Sequence, residues 1–121
     1  MNAGDLKLRT KRFALPVLKL VNALPKTIEG RAVAAQLVRS GTSVAANYRA
    51  ACRARSKAEF VAKLGVALEE ADETQLWLEL IIEGDLMPRA KVNSLLSEAS
   101  GLVAILVTSR KSAVAKLKFE I

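Results

Sequence analysis

The residues best able to do chemistry in this 121-residue chain are its arginines and lysines. Up to Lys63, thirteen basic residues stand against Asp5, Glu29 and Glu59, a net of +10. Beyond it six basic residues meet nine acidic ones, a net of −3, and the whole chain carries +7. On the second helix outlined below, Arg31, Arg49 and Arg53, with Arg39 beside them, project away from the side that carries Val33, Leu37 and Val44. Arg55, Lys57 and Lys63 continue the basic set around the following turn. Guanidinium forks match phosphate oxygens, so the expected contacts of Arg31, Arg39, Arg49, Arg53, Arg55 and Lys57 are with a nucleic-acid backbone. Tyr48, Phe60 and Trp77 are the residues able to stack on bases, and all three read as structural, which argues against base reading. The competing reading is a solvated face balanced by the acids of helix three.

Other chemistry is largely excluded. With no histidine there is no usual general base, no Ser-His-Asp or Cys-His arrangement, and the commonest transition-metal ligand is missing. An enzyme is not expected. Cys52 lies near Arg49, Arg53 and Arg55, which would favour a thiolate, but a small cysteine packed near a helix end is the simpler reading. Glu69 and Glu73 share a helix face beside Glu70 and Asp72, and without Glu-x-x-His partners they read as a solvated or ion-paired face. No glycine-rich phosphate loop follows a strand, and no metal or cofactor is expected.

A lone cysteine cannot form an internal disulfide, which fits a reducing, cytoplasmic setting. The basic stretch Lys7 to Arg12 ahead of Phe13 to Leu24 loosely resembles a signal peptide, but Lys19 and Asn22 interrupt it. No run approaches the roughly 20 apolar residues that a membrane span needs.

These side chains must be positioned by helices. The apolar stock is Ala, Leu and Val, with three prolines and 4% aromatics, and apolar residues recur every three or four positions. The pattern predicts one all-α domain, an antiparallel up-and-down four-helix bundle with helices at about 5–23, 28–53, 57–83 and 88–110. Pro16 predicts a kink, or a first helix that begins near Leu15. Gly41 lies mid-helix and suggests that a neighbouring backbone comes close there. Ser56-Lys57-Ala58-Glu59 has capping-box form and marks the third start. Gly84-Asp85 ends that helix, Pro88 opens the fourth, and the tail 112–121 reads weakly.

Two surface stripes exceed what one bundle needs. Helix three carries Val66, Trp77, Leu80 and Ile81 away from its core face, and helix four carries the small residues Ser97, Gly101, Ala104 and Thr108. Both point to self-association. Gln36, Ser40, Ser43 and Asn47 flank the core side of helix two and are expected to bridge helices by hydrogen bonds, with Ser43 and Asn47 as the principal polar pair.

The segments Arg39-Ser40-Gly41-Thr42-Ser43-Val44-Ala45-Ala46-Asn47-Tyr48-Arg49, Arg53-Ala54-Arg55-Ser56-Lys57-Ala58-Glu59-Phe60 and Glu69-Glu70-Ala71-Asp72-Glu73-Thr74-Gln75 resemble the bacterial four-helix bundle proteins, also called large-subunit ribosomal RNA intervening-sequence proteins. The similarity runs from about Leu8 to Arg110. It implies a ring-like homopentamer, no enzymatic activity, and kinship with basic accessory proteins of diversity-generating retroelements that contact nucleic acid. Ala45, Ala50 and Ala51 depart from the Pro, Glu and Gly common around the family's Asn motif, which predicts a straighter second helix.

Overall fold

Each of the first three helices begins on a side chain that takes up free backbone N–H groups. In the computed structural model, which describes residues 1–119, Asn2 Oδ1 accepts from the Asp5 N–H at 2.9 Å and Asp5 accepts from the Asn2 N–H at 3.1 Å. This reciprocal cap starts α1, Ala3–Ala23, slightly before the expected position. Thr27 Oγ1 accepts from the Gly30 N–H at 3.1 Å and starts α2, Ile28–Cys52. Ser56 Oγ accepts from the Glu59 N–H at 3.0 Å and starts α3, Lys57–Glu83.

Three expectations about the ends need correction. Pro16 neither delays nor divides α1: it is exposed, and the carbonyl it deprives of a donor belongs to Arg12, also exposed, where water can replace the lost bond. Pro88 is extended rather than helical, Arg89–Lys91 form a 3₁₀ turn, and α4 begins only at Asn93. It then continues to Phe119 through the stretch read as weak, because no Gly or Pro follows Gly101 and Ala113, Ala115, Lys116 and Leu117 are strong helix formers. Glu120 and Ile121, the end of that tail, lie outside the described residues.

The short connections 24–27 and 53–56 make neighbouring helices antiparallel. In the first, Gly30 is required: a Cβ there would stand 2.1 Å from the Pro25 carbonyl oxygen. In the connection that follows Glu83, the left-handed position is held not by Gly84 but by Asp85 at φ 56°. There the Leu86 N–H donates to the Ile81 carbonyl at 2.9 Å and the Asp85 N–H to the Ile82 carbonyl at 3.2 Å, closing the helix end.

α1 packs on α2, α2 on α3 and α3 on α4, and the α1–α4 seam that closes the bundle is the loosest. Val17, Leu37, Val44, Leu64, Leu78, Leu102 and Leu106 form its fully buried centre. Ile81, expected on the outer stripe of α3, is also fully buried, packed in the protomer's own core beside the connection that carries Leu86 and Met87. Val61 takes the core position expected of Phe60, which is half-buried.

Three consecutive residues of α2 each serve a different neighbour. Arg39 reaches outward to the acids of α3. The Ser40 hydroxyl is hydrogen-bonded inside the core to that of Thr74 at 2.9 Å. Gly41 admits α1: its missing Cβ would lie 2.8 Å from Val17 Cγ1, so the close neighbour is a side chain and not a backbone. Val17 is β-branched and fully buried, with little freedom to move aside.

Gly41→Ala is therefore expected to destabilise the protein by about 1–2 kcal/mol, overpacking outweighing the gain in helix propensity. Val17→Ala alone should cost about 2 kcal/mol through the cavity it leaves. Combined, the two should cost clearly less than their sum in urea denaturation, because the new methyl occupies the vacated space.

Candidate nucleic-acid interface

In an antiparallel helical hairpin, residues equally distant from the turn lie side by side. For the 53–56 connection this sets Arg39 beside Glu70 and near Glu73, but Arg49 near the level of Phe60. Arg39 Nη1 binds Glu70 at 3.0 and 3.2 Å, and its Nη2 binds Glu73 Oε2. Glu73 Oε2 also accepts from Trp77 Nε1 at 3.0 Å. These two donors, the Trp77 N–H first and the Arg39 guanidinium after it, hold the Glu73 carboxyl below the usual carboxylate range. Arg39, expected among the phosphate contacts, is thus already engaged within the chain. The short connection was the signal in the sequence that it, and not Arg49, would meet the acids.

Arg31, Arg49 and Arg53 are exposed on the side of α2 opposite Leu37 and Val44, and none makes an ion pair among the described residues. Arg55 is exposed and approaches Glu59 at 3.7 Å, and Lys57 is exposed at the start of α3. All six expected contact residues therefore lie on the surface, with Arg39 also engaged by Glu70 and Glu73. Glu69 and Asp72 remain exposed on α3.

The polar stripe on α2 is divided. Ser40 bridges to Thr74, whereas Ser43 and Asn47 do not bridge helices through the bonds they make. Ser43 Oγ donates to the Arg39 carbonyl at 2.6 Å and Asn47 Nδ2 to the Ser43 carbonyl at 2.8 Å, both within α2. Along α4, Ser97, Ala104 and Thr108 are exposed, but Gly101 is covered by Arg9 of α1, whose Nη2 would stand 3.0 Å from an added Cβ. That guanidinium forms a two-pronged pair with Glu98, both bonds at 2.8 Å, and this pair clasps the loose seam.

Beneath the clasp an open groove of about 720 Å³ runs between α1 and α4, floored by Phe13, Leu20 and Leu95 and edged by Arg12, Lys19 and Lys91. A smaller recess surrounds Cys52, near Tyr48, Ala51 and Phe60. Burial first, and Cys52 second, push the Tyr48 phenol up to about 12. No group of His, Cys, Asp or Glu among the described residues is arranged to hold a metal ion, and none of the described helices is long and apolar enough to cross a membrane.

The fold and site together define an all-helical bundle whose second helix exposes an arginine-bearing face. The sequence matches the 23S rRNA-intervening sequence protein family over residues 5–108, and the chain belongs to that family. A crystal structure from the S23 ribosomal protein family of Bacteroides thetaiotaomicron VPI-5482, described as a protein with unknown function, is similar at 33% identity and a TM-score of 0.84. The similarity covers 92% of this chain and 99% of that one. No curated protein matches the sequence.

Because Glu73 has a lowered folded-state pKa, its contribution to stability is present above the unfolded carboxylate pKa and is lost as pH falls through the folded one. Glu73→Gln should flatten the acid limb of a plot of denaturation midpoint against pH.

Proposed function

We propose that this protein is a non-enzymatic, self-associating helical bundle of the cytoplasm that binds RNA through its phosphate backbone. The observation that carries this reading is the exposed array of Arg31, Arg49 and Arg53 on α2, open while Arg39 is occupied. Arg55 and Lys57 extend the array past the turn. The family's link to 23S rRNA insertions favours RNA as the nucleic acid. Spacing also supports contact with a backbone: Arg31 and Arg49 lie roughly 27 Å apart along the helix, a reach that spans several nucleotides. Assembly, by family resemblance as a ring-like homopentamer, would repeat the array and raise the apparent affinity.

The missing histidines support the absence of a catalytic role. The alternative, a structural scaffold in which the arginines of α2 pair with Glu69, Glu70 and Glu73 of a neighbouring copy, keeps Glu69 as a free partner but loses Glu70 and Glu73, which Arg39 of the same chain takes.

Anisotropy titrations with a structured RNA should show binding at low salt that weakens steeply as salt rises. Arg49→Ala with Arg53→Ala should lower the slope of log affinity against log salt by about 2. Arg39→Ala should leave the slope unchanged. Absence of binding at low salt, or equal effects from all three arginines, contradicts the proposal.

A further inference from the structure

Two rows of apolar residues remain exposed on the protomer, and they carry opposite charge. On α1 the row is Leu8, Leu15 and Leu18, and on α3 it is Val66, Leu76 and Leu80; each of the six is between 39% and 54% exposed. Both rows follow the alternating three- and four-residue spacing of a coiled-coil seam once the charged members are included. In α1 the intervening position is Lys11, and in α3 the intervening positions are Glu69 and Glu73. The flanks repeat the contrast, with Arg12 and Lys19 beside the α1 row and Asp72 and Glu83 beside the α3 row. Apart from Glu73, all of these charges are exposed and without an ion pair among the described residues. The rows are of comparable length, roughly 15 Å on α1 and 21 Å on α3 at the helical rise. They lie on different helices and are self-complementary only between copies.

We infer that the outer face of α1 in one copy seats against the outer face of α3 in a second copy, leucine row against leucine row and lysine and arginine against carboxylate. The inference rests on the self-association proposed above and names the surfaces that would produce it. A contact between two different patches is head-to-tail, so each copy keeps one free α1 face and one free α3 face until the chain of copies closes or extends. The α1–α4 groove adjoins this surface through Leu8, Arg12 and Lys19, giving the acidic helix an apolar wall with a cationic edge. Opposite charge would set which faces meet, and apolar burial would supply the larger share of the attraction.

The test is the mass of the RNase-treated full chain by light scattering, with circular dichroism as a check on folding. Lys11→Glu with Lys19→Glu should reduce the assembly to 13.0 kDa species, and so should Glu69→Lys with Asp72→Lys. All four changes in one chain exchange the charges of the two faces and should restore assembly. Each variant set alters exposed residues only, so helical content should not change. Wild-type protein running as a monomer would refute self-association itself. Wild-type assembly that survives either pair of reversals, or that the fourfold variant does not recover, would refute the α1–α3 pairing and leave self-association standing.

Discussion

The hydrogen bond between Ser40 and Thr74 fixes how α2 lies on α3, and most of the molecule's surface follows from it. Both hydroxyls are fully buried and each also meets a carbonyl of its own helix, Ser40 that of Leu37 at 3.5 Å and Thr74 that of Glu70 at 2.7 Å, so the bond between them forms only where the two helices bring these residues face to face. With Ser40 turned inward to Thr74, the preceding Arg39 must emerge at the edge of the helix pair, beside Glu70 and Glu73. The following Gly41 must face α1. One buried contact thus assigns three neighbours to three consecutive residues and turns Arg31, Arg49 and Arg53 outward.

The four helices were readable from the recurrence of apolar residues and from caps such as Ser56. Where the reading failed, the cause was physical. Ile81 and Ile82 are adjacent, and on a helix that is apolar over much of its circumference periodicity alone cannot say which of them faces inward. The connection after Glu83 folds back at that level, and both are buried. The exposed Leu76 escaped notice for the same reason, its outward position becoming plain only once the core face is fixed. The end of α4 lacks regular apolar spacing, so propensity and not pattern carries it to Phe119.

The exposure of the basic residues was legible in the sequence, but the ion pairs of Arg39 with Glu70 and Glu73 were not. Composition showed an excess of arginine and helical spacing showed that most of it points away from the core, but which arginine meets the acids depends on register along the hairpin. That register is set by the length of the 53–56 connection together with Ser40 and Thr74. Glycines add a second lesson: at Gly65 and Gly101 the space a side chain would fill is taken by Arg110 and Arg9 reaching across from neighbouring helices. The small residues of α4 that suggested room for an outside helix are in part notches for the chain's own guanidinium groups.

The loose α1–α4 seam has a consequence for motion. α1 rests chiefly on α2 and is otherwise held by the Arg9–Glu98 clasp, whereas α2 and α3 each pack between two helices. Regions with fewer buried contacts open at lower free energy than the molecule as a whole. Amide protons of α1 would therefore exchange with solvent through local lifting of that helix, while those in the middle of α2 and α3 wait for global unfolding. On that account the bundle would exchange as a slow hairpin with a first strut that lifts more readily.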